Sequence, residues 1–170
     1  VMLLPEHYEQ NNTMNVHGFA EMVKELAESV KVPVGLHLDH SYDYDSVITS
    51  IKKGFNSVMI DGSAYSLEEN IALTKKVTET AHILEADVEA EIGHVGLAQD
   101  CDGDKSDYYT KADAAAKFCE ETKIDSLTIA IGNAHGVYVE TPHLDIQRLE
   151  EINAATDVPL VIHRSEERRV

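Results

Sequence analysis

His40, His135 and His163 each fall at or just past the end of a short apolar run that reads as a β-strand. If those strands surround one axis, the three imidazoles can converge on one ion, and neutral imidazole with one open coordination position describes a catalytic zinc centre. Carboxylates occupy the same kind of place. Asp39 directly precedes His40, Asp61 closes the run from Ser57, and Glu89 and Glu91 lie in the run Asp87 to Ile92. Alternation along a strand puts His37 and Asp39 on one face and His40 on the other, so Asp39 is expected to meet substrate while His40 meets metal. The plainer reading of Asp39 is a carboxylate that orients a ligating histidine. Asp61 and Glu91 are oxygen donors that could hold a second metal position or steady the histidines. His37 reads as a hydrogen-bonded interior group, and His7, His17, His82, His94 and His143 as loop or helix-end residues.

The elements that must position these groups alternate regularly. Val1 to Leu4 reads as a first strand. From Asn15 to Val30, the residues Val16, Phe19, Ala20, Val23, Leu26, Ala27 and Val30 recur at helical spacing, with Thr13 or Asn15 as the cap. Strand Val34 to Asp39 precedes a helix from Asp43 to Lys53, where Asp43 sits favourably at the positive N-terminus and Gly54 ends the run. Strand Ser57 to Asp61, helix Leu67 to His82 and strand Asp87 to Ile92 follow. A long loop runs from Gly93 to Thr110, then helix Lys111 to Thr122, strand Ser126 to Ile131, helix Leu144 to Ala155 and a last strand, Val158 to His163. Six mostly apolar strands and five helices in β-α alternation predict a parallel sheet covered by helices. No Gly-x-Gly-x-x-Gly follows a strand, and polar groups end nearly every strand, which favours a barrel mouth over the single switch point of an open sheet. A (β/α)8 barrel takes eight strands and about 250 residues. The expected fold class is therefore α/β, an incomplete TIM (β/α)8 barrel over residues 1–163 with about six of its eight strands present in a chain of 170 residues.

Composition limits the partners. A formal net charge of -17 disfavours nucleic acid and anionic membrane surfaces, which need basic stripes. No apolar run approaches the ~18 residues that span a bilayer. Cys101 and Cys119 form no CxxC and read as free thiols of a reducing, cytoplasmic compartment. The stretch Asp100 to Lys105 imitates a calcium loop but has Lys105 where glycine is needed, and it reads as a solvated lid over the active end.

Several motifs together resemble the zinc-dependent class II ketose-bisphosphate aldolases, the family of fructose- and tagatose-bisphosphate aldolases. They are Leu36-His37-Leu38-Asp39-His40, Ser57 to Ser63, Val88-Glu89-Ala90-Glu91-Ile92-Gly93, Ile129 to Tyr138 with Gly132-Asn133-Ala134-His135-Gly136, and Pro142 to Asp145. The resemblance implies that His40, His135 and His163 bind Zn2+, that Asp39 is the proton donor at the oxygen formed when the C3–C4 bond is made or broken, and that Asp61 and Glu91 touch an alternative metal position. It implies backbone contact with phosphate at Gly136, a phosphorylated sugar as substrate, room for a monovalent cation, and a homodimer or homotetramer in the cytoplasm. Zinc on the carbonyl and hydroxyl oxygens would spread the carbanion's charge, so no Schiff-base lysine is needed.

Departures from the family pattern concern loops and ends. The loop Gly96-Leu97-Ala98-Gln99-Asp100 lacks the family's Gly-Gly and its Glu-Asp pair; Gln99 cannot serve as a carboxylate base, and if the family's Glu moves the C3 proton of dihydroxyacetone phosphate, turnover requires Asp100 or Asp102 in its place. His163 meets Arg164 where the family has a phosphate-cradling Gly-Gly-Ser-Gly. The tail Arg164 to Val170 has no helical or turn logic. Codons AGA-TCG-GAA-GAG-CGT-CGT-GTA would spell it and match a common sequencing adapter, so a non-native tail is expected, with a frayed polar terminus as the alternative. The nucleotide record distinguishes the two. With the first and last strands absent, the chain by itself is expected to be inactive.

Overall fold

A computed structural model describes residues 1–3, 16–93, 109–133 and 143–163. Among them run β1 (Met2–Leu3), α1 (Val16–Glu28), β2 (His37–Ser41), α2 (Tyr44–Lys52), β3 (Ser57–Ile60), α3 (Leu67–Ile83), β4 (Asp87–Ile92), α4 (Ala112–Thr122), β5 (Ser126–Ile129), α5 (Ile146–Ala155) and β6 (Leu160–Val161). All strand pairs are parallel, and the strands stand side by side in chain order from β1 to β6. This is the expected α/β architecture, an incomplete (β/α)8 barrel.

Alternation along the strands sorts the chain into two faces. Leu38, Val58, Ile60, Val88, Ala90, Leu127 and Ile129 join the buried apolar cluster with Val47, Ile51, Val77, Ala81 and Phe118 from the helices. The other face carries His37, Asp39, Met59, Glu89, Glu91 and Thr128, each one residue out of phase with that set. Local signals start the helices: Asp43 accepts from the Ser46 N–H at 2.9 Å, Ser66 and Glu69 form a capping box, and Asp145 accepts from the Arg148 N–H at 2.9 Å.

Some boundaries differ from the sequence expectation. The second strand starts at His37 instead of Val34, because the ladder with β3 and β1 begins there. The last strand shrinks from Val158–His163 to Leu160–Val161, since β6 has a neighbour on one side only and two registered pairs with β5. Leu26 and Val30, expected on the buried stripe of the first helix, are exposed, and burial in α1 is confined to Val16, Ala20 and Val23. His7, His94, His135, Gly136, the caps Thr13 and Asn15, the loop with Gln99 to Asp102, Cys101 and the tail 164–170 lie outside the described residues. Cys119 is a free, half-buried thiol whose pKa is pushed up to about 11 by burial.

Candidate metal centre

Alternation would send the side chains of Asp39 and His40 to opposite faces, and the structure corrects that expectation. Between the Leu38–Val58 and Ser41–Ile60 pairs, β2 advances three residues while β3 advances two. The extra residue makes a bulge, and His40 takes a left-handed φ of 41° there. The bend swings the His40 ring to the side that Asp39 already faces. One carboxylate oxygen of Asp39 and one ring nitrogen each of His40 and His163 lie within 4.8 Å of one another, as do ligand atoms of His40, Asp61 and Glu91. A non-glycine residue at positive φ beside a strand end is strain of the kind that functional sites retain.

The two imidazoles are oriented from outside. His40 Nδ1 donates to Asp61 Oδ2 at 3.0 Å, and Asp61 Oδ1 accepts from the Ser63 N–H at 3.0 Å. His163 Nε2 donates to Glu89 Oε1 at 3.0 Å, and the Thr128 hydroxyl donates to the same oxygen at 2.5 Å. The inner nitrogens, His40 Nε2 and His163 Nδ1, then face each other at 2.8 Å, with the rings nearly perpendicular at 88°. In the neutral tautomer that gives each ring's N–H to its carboxylate, both inner nitrogens would present lone pairs to one point. That point calls for a shared cation, either a proton or a metal ion, and the outer carboxylates are the partners that raise ligand basicity in histidine metal sites. Two imidazoles with nearby carboxylate oxygens are a donor set that suits zinc.

Electrostatics agree with the geometry. Burial opposes charge on His40, yet the bond to Asp61 and the nearby Asp39 and Glu91 outweigh it and hold its pKa above the ordinary histidine value. His163 is likewise raised, burial being outweighed chiefly by its bond to Glu89. Burial would lift Asp61 and Glu89, but their bonds to His40 and Ser63, and to His163 and Thr128, hold both below the usual carboxylate range. His37 is lowered by burial. Its Nδ1 meets Ser57 Oγ at 2.7 Å, the interior hydrogen-bonded role expected of it, while its Nε2 is 3.7 Å from Glu89 Oε2.

Of the predicted site residues, Asp39, His40, Asp61, Glu91 and His163 gather at one end of the sheet, and His135 and Gly136 fall outside the described residues. Sequence reasoning placed Glu89 at a strand end but gave it no role. The signal was its position two residues before Glu91 on a strand, which puts both carboxylates on one face. Asp39 is 8 % exposed, and its Oδ1 is buried with no hydrogen-bond partner among the described residues. Beyond Asp61, a cleft of about 280 Å³ lies between the loops after β3 and β4, with Ser63, Tyr65, Gly93 and Lys111 on its walls. Gly62 sits at its edge because a side chain there would run into the amide of Asn70, whose Nδ2 donates to the Glu91 carbonyl at 2.8 Å.

Comparison with known proteins adds to this geometry. The family model described as class-II fructose-bisphosphate aldolase matches residues 2–168. The YdjI aldolase from Escherichia coli K12 is similar at 36% identity and a TM-score of 0.81, over 95% of this chain and 55% of that one. A putative fructose-1,6-bisphosphate aldolase from Coccidioides immitis matches at 31% identity and a TM-score of 0.78, over 96% of this chain and 58% of that one. The fructose-bisphosphate aldolase Fba from Campylobacter jejuni matches at 25% identity and a TM-score of 0.68, over 91% and 52%. The chain thus spans little more than half the length of the structures it matches.

Proposed function

Because the chain belongs to the class II fructose-bisphosphate aldolase family, we propose that the protein carrying it catalyses metal-dependent aldol cleavage and condensation of a ketose 1,6-bisphosphate. The products would be dihydroxyacetone phosphate and glyceraldehyde 3-phosphate. Fructose 1,6-bisphosphate is favoured, since two of the matched structures carry that substrate in their names. The observation that carries the reading is the convergence of His40 Nε2 and His163 Nδ1, 2.8 Å apart, beside a buried Asp39.

His40 and His163 would hold the ion, with His135 as the third ligand, and Asp61 and Glu91 would offer an alternative position. A bound zinc supplies a Lewis acid for the sugar's carbonyl and hydroxyl oxygens, lowering the energy of the carbanion left by carbon–carbon cleavage. The chain's own residues do the rest. Asp61 and Glu89 fix the tautomers of the two rings, so the nitrogens that face the ion keep their lone pairs. Asp39 exchanges a proton with the oxygen on C4 of the ketose: it takes that proton during cleavage and returns it during condensation. Its buried Oδ1, which has no hydrogen-bond partner among the described residues, supports that role. The backbone at Gly136 would help to hold a phosphate, and a monovalent cation could assist there. An acidic surface suits a small phosphorylated substrate held in a local site, with no nucleic-acid or membrane partner. No helix among the described residues is long and apolar enough to cross a membrane. We place the protein in the cytoplasm as a homodimer or homotetramer.

The test uses the full-length gene product with both fructose and tagatose 1,6-bisphosphates, with and without a chelator. Chelator-sensitive release of triose phosphates, restored by zinc, is expected. Release of inorganic phosphate with an intact carbon chain would instead identify a hydrolase on the same scaffold. Faster cleavage of the tagatose epimer would shift the substrate, since the two sugars differ only at C4. Metal uptake with no turnover would mark a noncatalytic zinc-binding protein.

A further inference from the structure

The ladder that should place His163 stops before reaching it. β5 and β6 share two registered pairs, Leu127 with Leu160 and Thr128 with Val161, and neither strand continues to the level of His163. A ligand carried on an unladdered end needs another tie. Asn133 provides one. The residue is 6 % exposed; Oδ1 accepts from the Ile131 N–H at 2.9 Å and Nδ2 donates to the His163 carbonyl at 3.2 Å. One amide thus spans from the end of β5 to the backbone of His163, in the direction in which a strand pair would have run.

Only a side chain with a donor and an acceptor in fixed relation can make both bonds. Aspartate offers acceptors alone and would set a carboxylate oxygen against the His163 carbonyl, while leucine of similar size would make neither bond. The anchoring end is itself held. Gly132 turns at a φ of 103°, where a side chain would collide with the His143 carbonyl and the Tyr109 hydroxyl. The Asp145 N–H donates to the Ile131 carbonyl at 2.8 Å, and Arg148 reaches the Thr110 carbonyl at 3.2 Å. Asn133 also stands two residues before His135, so the loop that would bring the third histidine begins at this amide.

Resting on the metal reading above, we infer that Asn133 is a positioning residue of the metal centre: its amide sets the distance between the loop after β5 and His163, and so decides whether His163 reaches the shared ion. It touches neither metal nor substrate. The experiment is zinc affinity by competition with a chromophoric chelator, and the Co2+ visible spectrum, in the full-length protein and three variants. Asn133→Asp is expected to weaken zinc binding by about 10–100-fold, the usual effect of losing a group that orients a ligand, and to change the Co2+ spectrum. Asn133→Ser keeps a donor and an acceptor on an arm too short for both bonds, and should show a smaller loss in the same direction if the aspartate variant does not fold. Thr122→Val removes a buried hydroxyl at the end of α4 that is bonded to the Phe118 carbonyl and makes no hydrogen bond with Asn133 or His163, and should leave both readouts unchanged. Unaltered zinc affinity and cobalt spectrum in both Asn133 variants would overturn the inference, as would an equal loss in Thr122→Val. Zinc uptake by the unsubstituted protein without carbon–carbon cleavage would sink the aldolase reading while the affinities still judge Asn133. Failure of the unsubstituted protein to take up zinc would sink both.

Discussion

Two histidine–aspartate pairs sit at opposite ends of the sheet with nearly the same geometry. His40 and Asp61 meet at 3.0 Å after β2 and β3, and His82 and Asp125 meet at 2.9 Å at the end of α3 and before β5. Distance does not separate them. Burial does: the side chains of the first pair are 9% and 10% exposed, those of the second 42% and 39%. The second nitrogen of His40 faces another imidazole, whereas Asp125 spends the same oxygen on the Val88 N–H at 2.7 Å and so ties a loop to β4. One pair aims a lone pair into a shared point; the other closes a turn. A histidine–carboxylate contact therefore signals chemistry only when the remaining ring nitrogen converges with other donors.

The largest expected effect lies at the residue beside the first pair. Asp39→Asn keeps shape and burial but cannot exchange a proton at the sugar oxygen, and kcat for cleavage in the full-length protein should fall by about 10²–10⁴-fold. Zinc affinity should change little. A loss of metal that parallels the loss of turnover would make Asp39 a ligand-orienting group and blur its distinction from Asp61.

Next in size is the outer partner of His163. Glu89→Gln removes the negative charge that holds the Nε2–H, and zinc affinity should weaken by about 10–100-fold by chelator competition. An unchanged affinity would mean that the geometry at His163 is set by its backbone and by Asn133 alone.

These two residues show how far the sequence could be read. The α/β class, the alternation of strands and helices and the placing of Asp39, His40, Asp61 and Glu91 at or near strand ends follow from alternating apolar runs, because period-two burial and helix caps are local properties. Asp43 illustrates it: expected at a helix start, it is the N-cap. What escaped was non-local. The partner of Glu89 lies 74 positions away, and nothing around Glu89 marks it off from Glu91. The bulge escaped too, since positive φ stays uncommon for any single non-glycine residue even though histidine is enriched there. It reversed the expected side of His40. His135, the proposed third ligand, is legible from sequence alone and lies outside the described residues, and the Asn133 tie depends on the short β6 ending before His163, which no local pattern announces.

A pH series separates metal binding from stability at the first pair. His40 and His163 are raised, so zinc must displace protons held more firmly than usual, and affinity should fall as pH drops through and below neutrality. Without metal, the stabilising contribution of these raised histidines is complete below the unfolded value of about 6.5 and is lost as pH climbs through their folded values. Asp61 and Glu89 are depressed, so theirs is present above about 4 and lost as pH falls through their lower folded values. The metal-free protein should therefore gain most from this cluster at about pH 4.5–6.5, where zinc binds poorly. Thermal melts with and without zinc across pH 4–8 would test this, and a metal-free optimum above pH 7 would contradict it.

The smallest effect is expected at the exposed pair, and it completes the comparison. His82→Gln keeps a donor near Asp125 and removes only a solvent-screened contact, so stability should change by about 0–1 kcal/mol and zinc affinity not at all. Asp125→Ala should cost more than His82→Gln, because it also strips the Val88 N–H of its acceptor. The difference between the two variants isolates the backbone bond from the ion pair. If His82→Gln instead altered zinc affinity, the two ends of the sheet would be coupled, and burial would not be what divides a structural histidine–aspartate contact from a metal-orienting one.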